Sequence, residues 1–242
     1  MKHWLGRDPA ASSVAARWRD TYTRPTVSAQ TTVHDVIDAV AVRAAMARCR
    51  IVVERHASWL TRLDAVLGDG DHGDNLVIGF RAVDDMLRQM PDDAPPGDVL
   101  RAVGHRLVAA VGGASGPLYG TAFLEAGSRA DDAPTLDGRL VAEMLTAAAD
   151  GLARRGRSAI GDKTILDTLA PAASAFAEAI ADGEDPRAAT ARAVRAAARG
   201  ARSTRPMVAR RGLALRLGAR SAGHLDPGAV SCLLLLRALG GR

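Results

Sequence analysis

Apolar residues recur at helical spacing along most of the chain, with polar residues between them. Val33, Ile37, Val40, Ala44 and Ala45 open the first such segment, which runs toward Leu63. A second follows Asn75, carrying Leu76, Gly79, Phe80, Val83 and Leu87, and a third runs from Val99 through Leu107 to Val111. A fourth starts near Pro117, and four more cover Leu136 to Ala153, Thr164 to Ile180, Arg187 to about Arg202, and Pro227 to Leu239. Asp185-Pro186 and Asp226-Pro227 each set a capping carboxylate before a proline at the first helical position. No run of alternating β-branched residues occurs, so no sheet is predicted. The expected fold is all-α: eight helices joined mostly by short links and running up and down as antiparallel neighbours in a bundle. Residues 31–242 read as one helical domain. Residues 1–30 hold Pro9, Pro25 and several charges without sustained periodicity, and are expected to form a poorly ordered extension.

Composition narrows the picture. Aromatic residues are only 3% of the 242, so the core must be built from Ala, Leu and Val, which suits closely packed helices. The net charge of +5 comes almost entirely from arginine, lysine occurring only at Lys2 and Lys163. Those arginines are interleaved with Asp and Glu, and no basic stripe with stacking aromatics is present, which argues against nucleic-acid binding. The longest uncharged apolar run, near Ala229 to Leu236, is too short to span a bilayer, and the N-terminus has no continuous apolar stretch of the signal-peptide kind. A cytoplasmic protein is expected, with Cys49 and Cys232 as buried thiols.

The links between helices differ in kind. The second, fourth and sixth are Met90 to Gly97, Ser128 to Thr135 and Ala181 to Asp185, all acidic turns. The first, third, fifth and seventh concentrate glycine, carboxylate, histidine and hydroxyl groups: Gly68 to Gly73, Gly112 to Gly116, Gly156 to Thr164 and Gly212 to Gly228. Up-and-down topology places these four at one end of the bundle.

Their chemistry is complementary. Asp64, Asp69 and Asp71 are offset by five and two, so they converge only where a helix end turns into an extended loop, which Gly68, Gly70 and Gly73 permit. Three carboxylates together need a cation, and hard oxygen ligands favour Mg²⁺ or Ca²⁺ over zinc. Magnesium is usually shared between carboxylates and substrate phosphates, so a phosphate ligand is expected. Gly112 to Gly116 and Gly161-Asp162-Lys163-Thr164 lead into helix N-termini suited to an anion. Lys163 is a candidate phosphate contact or loop support, beside Thr164. The joint reading is a Mg²⁺–nucleotide or other polyphosphate site, without the P-loop pattern.

Gly68-Asp69-Gly70-Asp71-His72-Gly73-Asp74-Asn75, Gly112-Gly113-Ala114-Ser115-Gly116-Pro117-Leu118-Tyr119-Gly120-Thr121, Gly161-Asp162-Lys163-Thr164 and Arg220 to Ala229 closely resemble the L subunit of dihydroxyacetone kinase. That subunit is similar to the C-terminal domain of the single-chain ATP-dependent enzymes. The resemblance covers about residues 33–242 and implies an eight-helix antiparallel barrel with ADP or ATP and magnesium, usually two ions, at one end. It makes Asp64, Asp69 and Asp71 the magnesium ligands. It places the nucleotide against His72, Gly73, Asp74, Asn75, Ala114, Ser115, Gly156, Ile165, Asp226, Pro227 and Gly228. It implies a glycerone kinase-type phosphotransferase, active with a separate ketose-binding K subunit, and a homodimer or hetero-oligomer. The donor is either ATP or a phosphotransferase-system protein that rephosphorylates bound ADP. Readings left open are a kinase subunit for another polyol, ketotetrose or fatty acid, and a non-enzymatic nucleotide-dependent partner module. Two positions depart from the family pattern. Asp74 adds a negative charge where a small or apolar residue is common. Leu213 stands where an arginine usually contacts the nucleotide, with Arg211 and Arg216 as candidates to replace it. Leu118, Ile165 and Leu213 are candidates for the adenine contact.

Overall fold

The computed structural model describes residues 37–241. The extension expected over 1–30 lies outside them. Eight α-helices form among the described residues: α1 (Ala39–Leu67), α2 (His72–Leu87), α3 (Pro96–Ala110), α4 (Ser115–Ala130), α5 (Gly138–Gly156), α6 (Leu166–Ala181), α7 (Pro186–Ser203) and α8 (Pro227–Leu239). A 3₁₀ segment, Leu213–Ser221, lies within the last link. No strand occurs among these residues. Among the described residues a single antiparallel bridge joins Ile37 to Leu136, and no helix is long and apolar enough to cross a membrane.

Local chemistry starts the helices where polar caps stand. The carboxylates of Asp38, Asp137, Asp185 and Asp226 accept backbone N–H bonds in the first turns of α1, α5, α7 and α8. The α7 and α8 caps are followed by proline, whose missing N–H is not needed there.

Each helix packs on the next in sequence, and α8 returns against α1, so the bundle closes into a ring. Short links between packed neighbours make successive helices antiparallel. Inside the ring sits one apolar core, with Val53 and Leu60 of α1, Leu76 and Phe80 of α2, Leu107 of α3, Leu152 of α5 and Leu234 of α8. α7 presents buried alanines instead, Ala189, Ala193 and Ala197. Small residues let the helix axes approach closely. A Cβ on Gly104 would lie 2.8 Å from the carbonyl oxygen of Gly120 on α4. The end holding the even links is tied down by arginines of α1. Arg43 donates to the carbonyls of Leu87 and Pro91, and Arg48 to those of Ala238 and Leu239. The Ile37–Leu136 bridge lies at this same end.

Candidate functional site

The opposite end carries a cleft of about 650 Å³, lined by the first, third, fifth and seventh links and the helix termini beside them. No residue of the even links reaches it.

The first wall is built on Asp64, in the last turn of α1. Its side chain is buried, and Oδ2 accepts the N–H groups of Gly70, Asp71 and His72 at 3.0, 3.1 and 3.3 Å. The chain can fold over this carboxylate because Gly70 takes a left-handed φ of +77° and because Gly68 has no Cβ, which would stand 2.3 Å from Asp64 Oδ1. Wrapping brings Asp69 and Asp71 in, and the three side chains offer oxygens that all lie within 4.8 Å of one another. Burial raises the Asp64 carboxyl above its ordinary range, amide bonds oppose that rise, and the Asp69 charge adds to it. Three clustered carboxylate oxygens form a donor set that fits a hard divalent cation.

The second wall starts at α4. Gly112, Gly113 and Ala114 are exposed, and Ser115 opens the helix. Ser115 Oγ lies 3.0 Å from Nδ1 of His72, while Nε2 of His72 lies 2.8 Å from Ser231 Oγ on α8. Tyr119 Oη is 2.7 Å from the same Ser231 oxygen. His72, Tyr119 and Ser231 are all buried. Burial depresses the His72 pKa to about 4, against the opposing pull of Asp71 and Asp69, so the ring is neutral at pH 7. Burial also holds the Tyr119 phenol well above its ordinary value.

The fifth link is organised by Asp167, in the first turn of α6. Its carboxylate accepts N–H bonds from Gly161 at 2.5 Å and Thr164 at 2.7 Å. Lys163 has a left-handed φ of +64° and is 1% exposed. Its ammonium donates to the carbonyls of Thr204 and His224, each at 2.5 Å, which joins the fifth link to the seventh. Desolvation lowers the Lys163 pKa, and Asp226 and Asp167 hold it up. The same cluster positions Asp226, whose N–H donates to Thr204 Oγ1 and whose Oδ2 accepts the Ala229 N–H at 2.7 Å. Burial lifts the Asp226 carboxyl to about 7; Lys163 opposes the rise, and Asp167 and Asp64 add to it. The 3₁₀ segment covers the remaining side. Ala214 and Leu217 pack with Leu67 at the end of α1, while Leu213 is 42% exposed.

The DAK2 domain family matches residues 66–241. This chain belongs to that family. It is 38% identical over 192 residues to the ADP-binding subunit DhaL of PEP-dependent dihydroxyacetone kinase 2 from Listeria innocua serovar 6a, spanning 78% of this chain and 87% of the relative. It is 36% identical over 194 residues to the ADP-binding subunit DhaL of the PEP-dependent dihydroxyacetone kinase of Escherichia coli K12, spanning 80% and 92%. In fold it is similar to the native crystal structure of the dihydroxyacetone kinase of C. freundii, with a TM-score of 0.65 at 22% identity, over 91% of this chain and 38% of that one.

In this DAK2 chain the cleft gathers Asp64, Asp69, Asp71, His72, Ala114, Ser115, Gly156, Ile165, Leu213, Asp226, Pro227 and Gly228. Lys163, Thr164, Arg211 and Arg216 line it as well, although the Lys163 ammonium points to carbonyls and Arg211 Nε stands 3.5 Å from Asp162. Gly73, Asp74 and Asn75 do not line it. Gly73 is pressed against α1, where a Cβ would meet the Ala57 carbonyl oxygen at 2.1 Å. Asp74 is exposed in the first turn of α2, and Asn75 lies beside Gly112. Asp167, Ser231 and Arg155 carry roles or line the cleft without a motif to announce them. For Asp167 one signal was available: a carboxylate three residues beyond Thr164 is placed to cap the amides of the preceding turn.

Proposed function

We propose that this chain binds a magnesium–ADP or magnesium–ATP complex in the cleft and acts as the nucleotide-binding subunit of a dihydroxyacetone-type kinase. The phosphoryl group passes to a hydroxyl of a small ketose held on a separate K subunit. The observation that carries this reading is the convergence of four alternate links on one cleft, with a carboxylate trio on one wall and Ser115 at a helix start on the other. The two relatives named above, each spanning nearly their whole length, are ADP-binding subunits by name.

Phosphoryl transfer asks a protein mainly for positioning and charge neutralisation. Asp64, Asp69 and Asp71 hold the magnesium, one ion or two, which when bound offsets the charge of the phosphates. Ser115 and the N–H groups at the start of α4 face phosphate oxygens, as does the Gly228 N–H at the start of α8, where Pro227 has no N–H and Asp226 holds that of Ala229. Arg155 and Arg216 add positive charge to the rim. Leu118, Ile165 and Leu213 supply apolar surface for the base. Lys163 supports the walls. The PEP-dependent naming of the relatives favours a bound ADP that is rephosphorylated by a phosphotransferase-system protein.

Calorimetric titration of Mg–ADP into the wild type and Asp69→Ala tests the site. Loss of affinity by tenfold or more in the variant is expected, and equal affinities would remove the carboxylates from the metal role. Turnover of the chain mixed with a K subunit, driven in turn by ATP and by PEP with phosphotransfer proteins, tests the reaction and identifies the donor.

A further inference from the structure

Behind Ser115 runs a file of buried polar groups to which the proposed function gives no task. Taking the cleft as the nucleotide site, their geometry decides what the Ser115 hydroxyl can offer a phosphate. A neutral imidazole carries one ring proton, so one nitrogen donates and the other accepts. His72 faces a hydroxyl on each side, Ser115 at Nδ1, 3.0 Å away, and Ser231 at Nε2, 2.8 Å away, with the Pro227 carbonyl beside the ring as a further acceptor.

With the proton on Nε2, the Ser115 O–H must turn inward to serve Nδ1, and only oxygen lone pairs face the cleft. With the proton on Nδ1, the ring donates to Ser115 Oγ and the Ser115 O–H is released toward the cleft. This second order needs a hydroxyl proton at Nε2. Ser231 stands in reach, at a distance shorter than the 3.1 Å to its other acceptor, the Gly228 carbonyl. Ser231 Oγ then accepts the Tyr119 O–H at 2.7 Å, a shorter reach than the 3.4 Å from that phenol to the Gly228 carbonyl.

We propose that Tyr119 and Ser231 are positioning residues: donating in series from Tyr119 to Ser231 to His72 Nε2, they hold His72 as the Nδ1–H tautomer and leave the Ser115 proton for a phosphate oxygen. Ser231 lies behind the cleft lining, and no proton is gained or lost by the ring.

The full chain, labelled with ¹⁵N-histidine and saturated with Mg–ADP at neutral pH, gives a direct reading by long-range ¹H–¹⁵N correlation, with His72→Gln to assign the ring. A protonated Nδ1 and a bare Nε2 are expected, and the reverse pattern overturns the inference. A wild type that binds no Mg–ADP overturns both this inference and the nucleotide reading. Binding with the proton on Nε2 overturns this inference alone. Ser231→Ala should weaken Mg–ADP about tenfold, the scale of one charge-assisted hydrogen bond. In a Ser115→Ala background the same substitution should cost nothing further, because it acts through Ser115. Fully additive losses would mean a merely structural role. The wild-type spectrum decides the question even where Ser231→Ala fails to fold.

Discussion

Asp64 Oδ2 stands 3.1 Å from the amide nitrogen of Asp71, so one member of the carboxylate trio shapes the loop that presents another. The two therefore differ in kind. Asp64 is buried and accepts three N–H groups, whereas Asp69 and Asp71 are exposed. Asp64→Ala should lower stability by about 2 kcal/mol without metal present, because it strips partners from amides that include the buried His72 N–H. Asp69→Ala should leave metal-free stability almost unchanged and abolish only the stabilisation gained on adding Mg²⁺. Urea denaturation of both variants with and without magnesium checks this, and equal metal-free losses would contradict it.

Lys163 offers a second contrast. Its ammonium is satisfied by the Thr204 and His224 carbonyls. Lys163→Met should therefore destabilise the ligand-free protein by about 2–3 kcal/mol, leaving two carbonyls and the Asp226 and Asp167 charges without it. A lysine that served only a phosphate would leave the ligand-free melting temperature where it was.

Much of this was legible in the chain itself. Asp185-Pro186 and Asp226-Pro227 mark the starts of α7 and α8 because capping is local chemistry, and the contrast between odd and even links follows from helix direction alone. Other features depend on partners far away in sequence. α2 starts at His72, several residues before its apolar pattern begins at Leu76, because Asp64 gathers the amides ahead of it. The 3₁₀ segment after Gly212 forms where Ala214 meets Leu67. Ser231 lies in an apolar run, and its partner His72 is 159 positions away. Leu213 illustrates the converse: the resemblance sets it where an arginine is expected, and its place on the cleft wall emerges only from the fold.

That departure can be reversed. Leu213 lines the cleft and is 42% exposed, so an arginine is accommodated there without desolvation. Leu213→Arg should tighten Mg–ADP binding by about threefold to tenfold, with a gain that shrinks as salt is raised. Calorimetry at two ionic strengths reads both effects, and unchanged affinity would show that Arg155 and Arg216 already suffice.

Asp226 makes stability depend on pH in a set direction. Its folded pKa of about 7 lies above the ordinary 3.8. Between those values the folded state keeps a proton that the unfolded chain has released, so this group's contribution falls as pH rises and is lost above about 7. His72, depressed to about 4 from 6.5, acts oppositely and gains as pH rises through that interval. Asp226→Asn keeps a capping oxygen and removes only the first dependence. Relative to wild type it should gain on the order of 2 kcal/mol between pH 5 and pH 8 in metal-free denaturation. A constant difference would contradict the assignment.

The return of α8 onto α1 has a bearing on biosynthesis. Asp226, on the opposite wall, and Ser231 behind it are made more than 150 residues after Asp64. A nascent chain halted before Pro227 holds the acidic loop but has no closed ring around it, and α1 still lacks α8 as a neighbour. Assembly of the cleft thus waits for α8, and translation passes from an open helical array to a closed binding site only once that helix is made.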